Sequence, residues 1–381
     1  MQFQFSLPSS VAFGQGAALS VGHIVLSLES SKVFCLYDSG VKKAGIAAVI
    51  VNSLQTAGVE VVEWEGVGAN ATDAIVEEGA RLARLAQSEV VVAVGGGNVL
   101  DTGKAISILL TNESPISQYN GMNMVKIPSA PLIAIPTTAG TVSEVIAFAT
   151  ITDTVKLKNM SIGGRHVGAR YALIDPHLTA DMPPDLAAAS GINALTHAIE
   201  AYLSRAASIP TDINALKAVE LICRYLPVAN GIGKNLEART NMLLGSMLAG
   251  FALNSAMLGL VHAIANPLNA HCGLPYDVAT AALLASVTEY NVETVPERIR
   301  EIGMAMGLEV KGVAAREAAQ LTIETIKTLA RQAGIPTLKE AGVSLDILEC
   351  VAADAAKEIS AIFNPRDPNK EDILQILRAA Y

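Results

Sequence analysis

The chain carries little charge for its length and few aromatic side chains. Charged residues make up 17% of its 381 positions and aromatics 4%, against 51% hydrophobic residues. That balance excludes a disordered polypeptide and requires a packed core. Positive charge is in deficit, with a net charge of −9, which argues against nucleic acid or an anionic membrane as a partner. Cysteine is scarce too. Cys35, Cys223, Cys272 and Cys350 are scattered, with no C-x-x-C, so reduced thiols and a cytoplasmic setting are expected. The opening MQFQFSLPSS has neither the basic nor the apolar region of a secretory signal.

The longest local absence runs from Asn241 to Tyr276, where there is no Asp, Glu, Lys or Arg. An uncharged stretch of that length invites a membrane reading. Asn254, His262, Asn266 and Asn269 interrupt it, and Gly and Pro recur. Helices buried on all sides in a helical domain account for it better.

A length of 381 residues suits two domains. The first part alternates strand and helix. Strands are predicted at Gln2–Ser6, Lys32–Tyr37, Val59–Trp64, Val90–Val94, Pro131–Ile135, Val145–Thr152 and Tyr171–Ile174. Helices are predicted at Lys42–Ala57, at Thr72–Gln87 with Thr72 as N-cap, and at Asn98–Leu110. Strand-like runs stop after Met182-Pro183-Pro184, and helical periodicity continues to the end. The expected division is an α/β dinucleotide-binding domain over 1–183 and an all-α domain over 184–381. A small-molecule cleft is expected where two domains meet.

Two places carry chemistry. In the first part, Gly95-Gly96-Gly97-Asn98 follows an apolar strand and opens a helix carrying Asp101 and Lys104. Glycines admit close backbone approach, and a helix N-terminus attracts an anion, so the turn can cradle a pyrophosphate. A tight βα turn explains the glycines alone equally well. Asp38 ends the second strand, where a carboxylate can accept from ribose hydroxyls and repel a 2′-phosphate, or simply make an Asp-Ser-Gly turn. In the second part, Asn193 and His197 are four apart in GINALTHAIEAY and share a helix face. A second stretch, GLVHAIANPLNAHCGLPYD over 259–277, holds His262, Asn266, His271 and Tyr276.

These motifs resemble the iron-containing (group III) alcohol dehydrogenases, of dehydroquinate-synthase-like fold. GGGNVLDTGKAI is similar to that family's G-G-G-S-x-x-D-x-x-K, and IPTTAGTVSE to I-P-T-T-A-G-T-G-S-E. FGQGA, MPPDLAAASG and NPRDPNKEDILQILRAAY extend the similarity over nearly the whole chain. The resemblance implies hydride transfer between NAD(P) and a small alcohol or carbonyl. It places Asp38, Asn70, Gly96, Gly97, Asn98, Asp101, Thr137, Thr138, Thr141, Lys158 and Leu178 around the cofactor. An acidic residue at 38 goes with NAD in relatives. The family's N-terminal strand pairs two subunits, which implies a homodimer or larger.

The metal site departs from the pattern. The family binds a divalent metal, Fe²⁺ or Zn²⁺, through Asp and His of G-x-D-A-L-T-H, a His of G-x-x-H-A-x-x-H and the His of P-H-G. His197 and His262 match. Asn193 stands for the Asp, Tyr276 for the last His, and Asn266 for a non-ligand His; Val142 replaces a glycine of the second loop. A neutral amide and a phenol are weaker donors, so the metal is expected to be weakly held or absent. His271 offers a substitute ligand, although a loop histidine is more often a surface residue. With or without metal, His197, His262 and Tyr276 are the expected catalytic residues. The alternatives are a catalytically silent NAD-binding homologue and a metal-free reductase resembling the maleylacetate reductases. A dehydroquinate-synthase-like or glycerol-dehydrogenase-like enzyme fits the 191–202 motif less well.

Overall fold

The structure, a computed structural model, describes residues 3–156, 158–231 and 235–381. The chain divides into two compact units, one from Leu7 to Met182, the other from Pro183 to Tyr381 with the residues up to Ser6.

The first unit is built on β1 (Ser10–Phe13), β2 (Lys32–Asp38), β3 (Glu60–Val67), β4 (Val90–Gly95), β6 (Leu132–Pro136) and β9 (Tyr171–Ile174). They form one sheet in the order β1-β9-β6-β4-β2-β3, with every pairing parallel. The helices are α1 (Val21–Ser27), α2 (Ser39–Lys43), α3 (Ile46–Thr56), α4 (Asp73–Leu85) and α5 (Gly97–Thr111). Alternation along the strands sends Phe34, Leu36, Val91, Ala93, Leu132 and Ala134 to the face covered by α4 and α5. Val33, Cys35, Val92, Val94, Ile133 and Ile135 go to the other face, with α3 residues Ile50 and Leu54. Period-two residues buried on both sides explain why β4 reads as an unbroken apolar run. A fully buried valine contributes about 1.5–3 kcal/mol, so these central strands hold the unit together. A smaller sheet joins β5 (Gly121–Met122), β8 (Lys158–Gly163) and β7 (Phe148–Asp153).

Several boundaries differ from expectation. The long helix over 42–57 is two helices, because Gly45 takes a left-handed φ of 75° and N-caps α3. Asp38-Ser39-Gly40 is not a turn: Asp38 caps α2, accepting from Val41 N at 2.8 Å. Thr72 does cap α4, accepting from Ile75 N at 3.3 Å. Residues 3–6 form no strand; Gln2 lies outside the described residues. The Ser6 backbone is met instead by side chains, its carbonyl by Asn254 Nδ2 at 2.8 Å and its N–H by Ser255 Oγ at 3.5 Å.

The second unit is helical: α6 (Pro184–Leu203), α7 (Ile209–Gly231), α8 (Leu236–Ala256), α9 (Leu260–Cys272), α10 (Tyr276–Asn291), α11 (Pro296–Ala305), α12 (Ala315–Gln332), α13 (Leu348–Ala355) and α14 (Lys370–Ala379). Helix α6 begins with Pro at its first position, where no N–H is missed. It packs against α7, α8 and α10 and is buried almost throughout. The uncharged stretch becomes α8 and α9, bent by 100° between them; among the described residues no single helix is long and apolar enough to cross a membrane. Helix α9 ends at Gly273, whose left-handed φ of 66° is the usual helix stop. Pro275 then starts α10, so Tyr276 is the first residue of a new helix. At the far end, α14 opens with a capping box between Asn369 and Asp372.

Candidate active site

In the α/β unit the chain leaves β2 for β3 on one side and later returns to β4 on the other. This reversal is the switch point at which open parallel sheets leave a crevice beyond their carboxyl ends. Asp38 ends β2 there, and Gly95-Gly96-Gly97 ends β4 and opens α5. The loop after β6 lies against that turn, with Thr137 N donating to Gly95 O at 3.0 Å. Contact is close enough to require glycine. A Cβ on Gly95 would sit 2.6 Å from Val99 Cγ2, and one on Gly97 would sit 3.1 Å from Thr141 Cβ. Thr138 lies beside Gly96 at ordinary contact distance, 3.4 Å from where a Cβ on Gly96 would be.

The hydroxyls of Thr138 and Thr141 are buried and have no hydrogen-bond partner among the described residues. Two orphaned hydroxyls beside a glycine turn and a helix N-terminus suit an incoming anion such as a pyrophosphate. Asn98 is exposed and donates its amide to Ala69 O, tying the turn to the loop that carries exposed Asn70. Lys158 is exposed at the start of β8, and Leu178 packs on the core in the short turn after β9.

Asp101, expected beside the cofactor, also braces the two loops. It accepts from Lys104 Nζ at 3.2 Å, from the Ser143 hydroxyl, and from Thr150 N at 2.9 Å. Lys104 is wholly buried, and burial lowers its pKa against the pull of Asp101. It also donates to Ser143 Oγ at 2.7 Å and to Phe148 O. Sequence reading placed both residues near the turn but could not show that they tie α5 to the second loop. In that loop Val142 takes φ 56° while 1% exposed, so a β-branched side chain occupies the left-handed position of the family's glycine.

In the helical unit, α6 presents Ser190, Asn193, His197 and Glu200 at helical spacing. All four are buried. His262, near the start of α9, stacks on His197 with ring centroids 4.7 Å apart and planes at 21°. Tyr276 tilts against the His262 ring, with centroids 5.7 Å apart and planes at 49°. These three expected residues therefore come together. Glu200, missed in the sequence, orders them. Its carboxylate accepts from Gly259 N at 3.0 Å, from Val261 N at 2.6 Å and from His262 Nδ1. With Nδ1 donating, Nε2 is the acceptor. His262 is 1% exposed, and Nε2 has no partner among the described residues. The signal for Glu200 was its place three residues after His197, on the same face.

Asn193 is held by side chains of α10. Its amide Nδ2 donates to Asp277 Oδ1 at 3.0 Å, and its Oδ1 accepts from Thr280 Oγ1 at 2.9 Å. Asp277 also accepts from Ser190 Oγ at 3.0 Å. Burial raises the Asp277 carboxyl above its usual range, opposed by Ser190, the nearby His262 and Asn193. A carboxylate absent at 193 is thus present at 277. His271, the other ligand considered, meets α13: its Nε2 lies 2.9 Å from Asp354. Asn266 donates to Glu358 at 3.0 Å. The four positions of the family's metal site therefore hold one imidazole with an open nitrogen, a second stacked on it, an amide engaged at both ends and a phenol. That set does not fit the four-ligand site.

Known proteins agree with the architecture. Residues 8–176 match the iron-containing alcohol dehydrogenases and 187–381 the C-terminal part of the Fe-containing alcohol dehydrogenase family. The chain is 37% identical to a 1,3-propanediol dehydrogenase of Klebsiella pneumoniae over 383 residues, covering 100% of this chain and 99% of that protein. It is 32% identical over 377 residues to an NAD-dependent methanol dehydrogenase of Bacillus methanolicus, covering 99% of each. A crystal structure of a 1,3-propanediol oxidoreductase superposes with a TM-score of 0.98 at 37% identity, covering 100% of both chains. Fold and relatives together define an oxidoreductase. The chain belongs to the iron-containing alcohol dehydrogenase family.

Proposed function

We propose that this protein is an NAD(H)-dependent oxidoreductase of small alcohols and aldehydes or ketones whose divalent metal is weakly held or absent. The dinucleotide part rests on the orphaned Thr138 and Thr141 hydroxyls beside Gly96 and Gly97, and on the methanol dehydrogenase relative named for NAD. The residues present fit such a cofactor. Gly96, Gly97, Thr137, Thr138 and Thr141 would hold the phosphates, with Asn70, Asn98, Lys158 and Leu178 around them. Asp38 would meet the adenosine ribose and favour NAD over NADP. When bound, the nicotinamide supplies or accepts the hydride.

The metal part rests on one observation: Asn193 is engaged at both ends, by Asp277 and Thr280. A neutral amide cannot supply the charge that offsets a cation's desolvation. The chain's own groups then serve the substrate oxygen. Tyr276 and His197 are the proton donors and acceptors, and His262 Nε2 accepts a hydrogen bond from the hydroxyl of an alcohol bound there. Glu200 fixes the His262 tautomer. Asp277 takes the place of the family's carboxylate in the charge balance of the site.

The test is metal analysis of purified protein together with NADH oxidation on a panel of short aldehydes, with and without chelator. The expected result is metal well below one equivalent and activity that survives chelation. A full equivalent bound through His197 and His262 overturns the metal reading. Absence of turnover with every carbonyl favours the silent homologue, a reading motivated by the two lost ligands. Calorimetry should show NADH binding more tightly than NADPH, with the preference relaxed in Asp38→Gly; equal affinities in the unaltered protein would remove Asp38 from the argument. Subunit pairing of the family's kind would make the protein a homodimer or larger, which light scattering at micromolar concentration reads directly.

A further inference from the structure

We propose that His271, Cys350 and Asp354 form a second, surface site for one borderline-soft divalent cation such as Zn²⁺. The site is independent of the buried histidines and of the reaction proposed above. Helices α9 and α13 pack against each other. His271 lies in the last turn of α9. Cys350 and Asp354 are four apart on α13 and so share one face, turned to that histidine. Their donor atoms lie within 4.8 Å of one another. His271 Nε2 is 2.9 Å from Asp354 Oδ2 and 3.7 Å from Cys350 Sγ.

The distances decide what the cluster can hold. Tetrahedral zinc, with bonds of about 2.0 Å to N and O and 2.3 Å to S, sets its donors roughly 3.3–3.7 Å apart. The imidazole–thiol pair already has that spacing. The imidazole–carboxylate pair must open by about 0.4 Å, which replaces a hydrogen bond by two metal bonds. A thiolate, a carboxylate and a neutral imidazole carry two negative charges against the cation's two positive ones. Lys357 Nζ competes for the carboxylate, lying 3.2 Å from Asp354 Oδ1, the oxygen not facing His271. The Cys272 thiol, next in sequence to His271, donates to Leu268 O. His271 and Cys350 are exposed and Asp354 half-buried, so water can complete the shell.

The cluster is separate from the candidate active site along the same helix. His262 and His271 are nine residues apart on α9, two and a half turns, and so point to opposite sides. Only this cluster contains a thiol. Cobalt(II) bound to a thiolate has a near-ultraviolet charge-transfer band, so Co²⁺ added to the full-length protein reports it without interference from His197 and His262. The expected result is a band that saturates at one equivalent, persists in Cys272→Ser, disappears in Cys350→Ser, and needs roughly 10–100-fold more Co²⁺ in His271→Ala or Asp354→Ala. Zn²⁺ should displace it. No band at millimolar Co²⁺, a band retained in Cys350→Ser, or a band lost in Cys272→Ser overturns the proposal. None of these outcomes touches turnover, so its failure is distinct from failure of the proposed reaction.

Discussion

The glycine edge of the parallel sheet and the histidine face of α6 and α9 both depart from the family pattern, with different consequences. At the sheet edge Asn98 replaces a serine and Val142 a glycine. The turn keeps its close contacts and its orphaned hydroxyls. A phosphate cradle relies on backbone N–H groups and on the absence of side chains, so it tolerates changes nearby. The helical site relies on four side chains, and each substitution alters the donor set itself. Asp277 has given Asn193 a new partner, and the hydrogen bonds around it are satisfied.

The largest test of that contrast is Asn193→Asp, the change that restores the family's residue. With Asp277 in place it sets two carboxylates at hydrogen-bond distance, where they cannot both ionise cheaply. The expected loss is on the order of 3 kcal/mol, seen as a lower melting temperature. Asn193→Asp with Asp277→Asn should recover most of it. Adding Tyr276→His to that pair should then raise bound metal toward one equivalent. If Asn193→Asp alone melts like the unaltered protein and takes up metal, the carboxylate exchange is wrong.

At the sheet edge the sharper test is Thr138→Val or Thr141→Val. Neither hydroxyl has a partner to lose in the protein alone, so the melting temperature should hold or rise. NADH affinity should fall roughly fivefold, the worth of about 1 kcal/mol per lost hydrogen bond. A fall in melting temperature without change in affinity would place these hydroxyls in the fold and not in the cofactor site.

A smaller effect concerns pH. Burial raises Glu144 to about 7, against its own backbone bond and the charge of Lys104. Its folded pKa lies above the unfolded one, so the native state holds the proton more tightly. The corresponding stability is fully present below about pH 4.5 and is lost as pH rises through about 7. Glu144→Gln should flatten the decline of melting temperature across that window. An unchanged slope would mean that other groups set it.

The two regions also differ in how far they could be read from the sequence. β9 falls on its expected residues, and β4 extends only one residue past them, because burial on both faces leaves an unmistakable apolar run. The two-residue β5 and the β8 hairpin strand carry no such pattern and were missed. Asn193, His197 and His262 were found by their resemblance to a motif; α6 sets the first two on one face, and His262 meets His197 from α9. Glu200 and Asp277 were not found. Glu200 acts through the N-terminal turn of α9, far along the chain, and Asp277 through a helix start that Gly273 and Pro275 mark but whose partners they do not reveal. Hydrogen-bond partnership between distant segments has no local signature. The same limit hid the bracing role of Asp101 and Lys104.

Val142 gives the smallest expected effect and a clean ordering. It sits at φ 56°, ψ 2°, with 1% of its surface exposed. Left-handed backbone costs a β-branched residue about 1–2 kcal/mol. Its buried side chain returns about 1.5–3 kcal/mol. Replacement by glycine removes both terms, so Val142→Gly should shift the melting temperature by only a few degrees, on the order of 1 kcal/mol. Val142→Ala is the informative partner. Alanine loses most of the buried methyl surface and keeps a Cβ in the left-handed region. It should therefore be less stable than glycine here by about 1 kcal/mol, the reverse of their order in a helix. Thermal melts of the two variants decide it. An alanine variant more stable than the glycine variant would mean that position 142 does not hold left-handed backbone, and that the second loop has been rebuilt around valine.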